Sequence, residues 1–252
     1  MNPLRAQWAA GETAFGLWSG MASPFAAELL ARAGADYVCI DMQHGLASFD
    51  GLTPLLQAVA LGGSAPLVRV AANEPWQIGK ALDQGALGVI VPLVETADEA
   101  ARAVAACRYP PDGSRSFGPA RAGSAIGSLE PHDLGAEVVC LVMVETRRGV
   151  EHLGAIAATP GLDGIYIGPA DLAVSLGVSP LSRDLGAEHA AAIEAIRDAC
   201  AANGIAAGIH CARGEDANAF AAGGFRIVTA STDFPLLAGA ASRSLLAARG
   251  ET

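Results

Sequence analysis

Eight short, continuous apolar runs punctuate the chain: Phe15–Trp18, Tyr37–Ile40, Leu67–Val70, Gly88–Pro92, Val138–Val144, Ile165–Ile167, Ile205–Ile209 and Arg226–Thr229. Segments patterned as helices lie between them, at 23–34, 49–62, 74–84, 96–107, 149–158, 170–176, 188–203 and 213–222. A further helix at 3–10 reads as a cap on one end of the fold, and another at 233–248 closes the chain. Continuous rather than alternating apolar strands imply burial on both faces, the mark of a parallel sheet covered by helices. Eight strand–helix units in 252 residues predict a single (β/α)8 barrel spanning 1–252, whose usual length is about 250 residues. Glycines at Gly34, Gly85, Gly161, Gly204 and Gly223 stand where helices end and strands begin, positions that favour a left-handed backbone. One connection, 108–136, is long and weakly patterned; coming after the fourth strand, it is expected to lie over the catalytic face.

Composition narrows the partners. The net charge is −10, and the basic residues do not cluster, which argues against nucleic acid and anionic membranes. No apolar run approaches membrane-spanning length. Five scattered cysteines without a CxxC pair suit reduced thiols in a cytoplasm. The GxGxxG, GxxxxGK[ST], GxSxG and HExxH motifs are all missing.

In a barrel the C-terminal strand ends converge on one mouth. The polar residues there are Asp41, Gln43 and His44 after strand two, Arg69 in strand three, Glu145 after strand five and Asp171 after strand six, with His210, Ser231 and Thr232 after the last two. Glu145 and Asp171 suit a hard divalent cation, which takes oxygen ligands and keeps waters; each also fits a first-turn helical acid. His44 is either a general base or a turn residue. An arginine inside a barrel strand needs a carboxylate or a ligand anion beside it. By pattern alone, Asp83 is an exposed helical acid, and His132, His152 and His189 are surface residues.

Ile40-Asp-Met-Gln-His-Gly45, Val68-Arg-Val70, Val91-Pro-Leu-Val94, Arg108-Tyr-Pro-Pro111, Val144-Glu-Thr-Arg147 and Ile167-Gly-Pro-Ala-Asp-Leu172 resemble the metal-dependent class II pyruvate aldolases of the 4-hydroxy-2-oxoheptanedioate aldolase (HpcH/HpaI) family, in order from about residue 14 to about 245. The resemblance implies a cytoplasmic homohexamer in which the last helix packs on a neighbouring subunit. It implies a divalent cation, Mg2+, Mn2+ or Co2+, on Glu145 and Asp171. It gives His44 the role of proton acceptor, Asp83 that of raising its basicity, and Arg69 that of stabilising an enolate. Gly168, Pro169 and Ala170 would bind the keto acid, Ala170 through its backbone, and Asp41 would support the site from behind. Gln43 and Met143 depart from the family, which commonly has Glu and Gln there.

The implied reaction is reversible cleavage of 4-hydroxy-2-oxo acids to pyruvate, or an analogue such as hydroxypyruvate, and an aldehyde. The covalent alternative needs a Schiff-base lysine in the mouth. The only lysine, Lys80, falls in a helix outside the barrel. Three other readings stay open: an acyl-CoA lyase of the citrate-lyase β-subunit type, for which Arg115, Arg121, Arg147 and Arg148 are the candidate phosphate ligands, an enolpyruvate-type isomerase or decarboxylase using the same metal enolate, and a metal-binding barrel without turnover.

Overall fold

The computed structural model describes residues 1–251. Eight parallel strands close in chain order: β1 (Ala14–Ser19), β2 (Tyr37–Asp41), β3 (Ala65–Arg69), β4 (Gly88–Val91), β5 (Val139–Met143), β6 (Gly164–Ile167), β7 (Ala206–His210) and β8 (Ile227–Thr232). All five strands from β2 to β6 are buried at every position, which is why they read as unbroken apolar runs. The helices between them are α2 (Pro24–Arg32), α3 (Phe49–Leu61), α4 (Pro75–Asp83), α5 (Ala97–Cys107), the short turns α8 (Arg147–Glu151) and α9 (Leu153–Ala157), then α10 (Pro169–Ser175), α11 (Gly186–Asn203) and α12 (Gly214–Ala222). The expected helix at 149–158 is thus two turns broken at His152.

Two layers of core hold the barrel. The interior is filled by Tyr37, Leu67, Ile90, Leu141, Met143, Tyr166 and Ile227, and a larger shell lies between strands and helices. Each fully buried aliphatic side chain contributes roughly 1.5–3 kcal/mol. The Tyr37 and Tyr166 hydroxyls both bond to Thr229 Oγ1, at 2.8 and 2.6 Å, so neither is left unpaired in the apolar interior. Gly16 makes room for the Tyr37 ring, whose atoms occupy the space a Cβ would need. The β1–β8 register shifts at that point.

Helix α1 (Pro3–Ala9) closes the end where the strands begin. Leu4 is fully buried, and the Asn2 amide donates to the Leu87 and Glu137 carbonyls, both at 2.8 Å. The 108–136 connection lies at this same end, contrary to the expectation that it covers the catalytic mouth. It follows α5, which has already carried the chain back from the C-terminal end of β4. It contains two short helices, α6 (Ala122–Ile126) and α7 (Pro131–Ala136), and the Arg108 guanidinium donates to Val138 O at 3.3 Å.

Helix α13 (Asp233–Arg249) is anchored at its first residue. Buried Asp233 accepts from the amides of Gly20 and Met21 at 3.0 and 2.9 Å. Phe234 packs against Gly20, and beyond it the helix stands off the barrel, with Leu236, Leu237 and Leu245 exposed.

Candidate active site

Asp41 and Arg69 end neighbouring strands in register. The Arg69 guanidinium donates to both Asp41 oxygens, from Nε at 2.9 Å and from Nη2 at 2.6 Å, and lies over the Trp18 ring at 5.2 Å. Burial alone would raise the Asp41 pKa. The Arg69 fork, with the amides of Gln43 and His44, outweighs it and holds Asp41 below the ordinary carboxylate range. Those amides approach Asp41 Oδ1 at 3.0 and 3.3 Å, folding residues 41–45 into a tight turn. The Asp41 carbonyl fills the space a Cβ on Gly45 would take. The turn leaves His44 exposed at the cavity rim. Gln43 is half-buried, and its Oε1 has no hydrogen-bond partner.

Glu145 lies two residues beyond β5 and is 1% exposed. Its Oε1 accepts from the Leu93 amide at 3.0 Å. Leu93 holds φ of 55°, a left-handed conformation costly for a branched side chain and concentrated at functional sites. Oε2 is buried with no partner and presses against Gly168, where any Cβ would collide with it. Burial, helped by the charge of Asp171, pushes Glu145 up to about 7 against the opposing pull of the Leu93 amide and Arg69. Asp171, in the first turn of α10, is exposed. An orphaned buried carboxylate oxygen beside a second carboxylate fits a divalent cation. Among the described residues no three His, Cys, Asp or Glu side chains converge, so a cation here would retain waters, as Mg2+ does.

A cavity of about 320 Å3 is lined by Asp41, His44, Arg69, Met143, Gly168, Pro169, Ala170 and Asp171, with Glu145 packed against Gly168. Trp18, Gly20, Tyr166, His210, Thr232 and Phe234 complete the wall. Of these, Trp18, Tyr166 and Phe234 carry no sequence signal beyond their apolar runs. Met143 ends β5 and is 2% exposed.

Two residues lie elsewhere than pattern alone suggests. Asp83 is half-buried and paired rather than an exposed helical acid. It ends α4, at the opposite end from the mouth, where Arg115 Nη2 donates to its Oδ1 at 2.8 Å. His189 is buried at 5% exposure, not on the surface, and its Nε2 pairs with Pro169 O at 2.9 Å. It thereby braces the start of α10. Lys80, in contrast, is exposed on α4 as expected.

Parallel strands with carboxylates and one arginine at their C-terminal ends define a (β/α)8 enzyme site built for stabilising negative charge. Residues 14–240 match the HpcH/HpaI aldolase/citrate lyase family, and the chain belongs to that family. It is 41% identical over 249 residues to a hydroxypyruvate/pyruvate aldolase of Rhizorhabdus wittichii, with 99% of each chain covered. It is 40% identical over 178 residues to a 5-keto-4-deoxy-D-glucarate aldolase of Salmonella paratyphi A, with 70% of each covered. A crystal structure of an HpcH/HpaI aldolase/citrate lyase family protein from Burkholderia cenocepacia superposes with a TM-score of 0.91 at 36% identity, covering 99% of this chain and 100% of that one. The chain is an aldolase, a carbon–carbon lyase.

Proposed function

We propose that this enzyme cleaves 4-hydroxy-2-oxo acids reversibly into pyruvate, or hydroxypyruvate, and an aldehyde. The observation that carries the reading is the orphaned Oε2 of Glu145, buried against Gly168, a residue of the cavity wall, and close enough to Asp171 to feel its charge. Glu145 and Asp171 would hold a divalent cation, and Mg2+, Mn2+ and Co2+ all suit two carboxylates and water. When bound, the cation supplies Lewis-acid polarisation of the keto group.

The chain's own residues do the rest. His44 takes the proton of the 4-hydroxyl. The C3–C4 bond then breaks, its electron pair stays on the keto-acid fragment as an enolate, and the aldehyde departs. Arg69, held by Asp41, sets a fixed positive charge where the enolate oxygen develops. Protonation of C3 completes pyruvate. The keto-acid carboxylate sits against Gly168, Pro169 and the Ala170 amide, one of the first-turn amides of a helix that lack intrahelical acceptors. Met143 walls this pocket with a thioether that donates no hydrogen bond.

Asp83 can act on His44 only from a second copy of the chain, which the proposed hexamer would supply. The exposed apolar side of α13 supports such an assembly. Five free, buried cysteines suit the cytoplasm, and no helix among the described residues is long and apolar enough to cross a membrane. We read the chain as one aldolase domain. A CoA-phosphate patch gains no support: Arg115, Arg121, Arg147 and Arg148 are engaged by Asp83, Gln84 O, Glu188 and Glu95 respectively. Coupled detection of pyruvate released from 4-hydroxy-2-oxo acids tests the reading, with release expected and its complete absence in the metal-loaded enzyme contradicting it.

A further inference from the structure

His210 ends β7 and lines the site cavity, yet no step of the proposed reaction uses it. Its ring meets the Trp18 ring edge-on at 5.1 Å. Its one side-chain hydrogen bond among the described residues is to Thr232 Oγ1, at a long 3.4 Å. The same imidazole lines a second cavity of about 620 Å3, which shares Pro169 and Ala170 with the first and runs on past Leu185 and Phe220 between α11 and α12. His210 therefore stands where two spaces meet, beside the segment assigned above to the keto-acid carboxylate.

Burial pushes His210 down to about 4; Arg69 adds to the effect and Asp41 opposes it. At neutral pH the ring is uncharged and offers one N–H and one lone pair. That combination suits a hydroxyl, which can use both, whereas a carboxylate or phosphate would engage only the N–H and leave the lone pair unused. An apolar chain laid against the ring would leave its polar atoms unpaired inside a largely apolar wall, which costs binding.

We infer that His210, steadied by Thr232, recognises a hydroxyl on the substrate beyond its keto-acid end, so that the site favours hydroxylated substrates over their deoxy counterparts. This rests on the aldolase reading above. The hydroxyl can belong to the donor acid or to the acceptor aldehyde, and the test has one arm for each.

In the acceptor arm the Mg2+-loaded enzyme condenses pyruvate with glycolaldehyde or with acetaldehyde. In the donor arm one fixed aldehyde is offered hydroxypyruvate or pyruvate. The readout is the ratio of kcat/KM for the hydroxylated compound to that for the deoxy one. His210→Phe keeps an aromatic ring against Trp18 but carries no polar atom, and it should lower this ratio about tenfold or more in at least one arm. His210→Gln restores a donor and an acceptor and should recover part of the loss. If His210→Phe does not fold, Thr232→Val carries the test and should lower the same ratio. Ratios equal to wild type in both arms overturn the inference. Wild-type turnover with unmoved ratios sinks the hydroxyl role alone. A metal-loaded wild type that makes no aldol product and exchanges no methyl protons of pyruvate removes the aldolase reading and this inference together.

Discussion

Arg69 grips Asp41 through two parallel hydrogen bonds, and the same Asp41 oxygen that receives Arg69 Nε also receives the amides of Gln43 and His44. One carboxylate thus fixes both the charge proposed to meet the enolate and the turn that carries His44, the proposed base. Structural and proposed catalytic roles overlap here, and a double variant is needed to separate them.

Arg69→Ala should lower stability by about 3–5 kcal/mol, because it strands a buried carboxylate. It should also slow enolate formation roughly 10²- to 10³-fold, the usual effect of losing one preorganised donor. The double variant Arg69→Ala/Asp41→Ala should regain much of the stability and none of the rate. Thermal unfolding alongside pyruvate proton exchange measures both. Recovery of exchange in the double variant would make Arg69 a scaffold residue only.

Gly168→Ala probes the metal pocket from the opposite wall. The added methyl would press on Glu145 Oε2 and the Met143 thioether, while Gly168 itself has an ordinary φ of −97°, so backbone strain is not the issue. Mn2+ affinity measured by calorimetry should fall at least tenfold, with the fold retained by circular dichroism. Glu145→Gln should show the same loss, because a neutral amide is a poor ligand for a hard cation. Undiminished Mn2+ affinity in both variants would remove Glu145 from the metal site.

The neutral, buried His210 predicts a pH effect on stability. Its pKa falls from 6.5 in the unfolded chain to about 4 in the folded one. Between those values the unfolded chain binds a proton that the folded one refuses, so stability falls as pH drops from about 6.5 to about 4. The full effect is on the order of 3 kcal/mol. Glu145, pushed up to about 7 by burial, titrates in the same window with the opposite sign, so the contrast with His210→Phe is what counts. Denaturant unfolding at pH 7 and pH 4.5 should show a shallower decline in the variant. Equal declines would mean that His210 is not buried in its neutral form.

The strands were legible because burial on both faces leaves each as an unbroken apolar run, as in Val139–Met143. The acids at their ends were legible because parallel topology gathers C-terminal ends at one mouth. The 108–136 connection was not, since its location depends on counting the intervening helix α5, which reverses the chain before the loop begins. His189 reads as a polar helical residue in any local window. Only the tertiary approach of α11 to Pro169 buries it and supplies its acceptor. Asp83 shows a different limit: its neighbours along α4 give no hint of Arg115, thirty-two residues away, and a role at His44 depends on a second chain.

Exchange of the methyl protons of pyruvate with deuterated water, followed by proton NMR with no aldehyde present, isolates enolate formation from every question about the acceptor. The metal-loaded wild type should lose the methyl signal steadily, chelation should stop the loss, and Mg2+ should restore it, while Glu145→Gln should stay inert under all three conditions. Exchange that continues undiminished in the chelated enzyme, or in Glu145→Gln, would contradict a site in which Glu145 and Asp171 hold the cation that makes the enolate accessible.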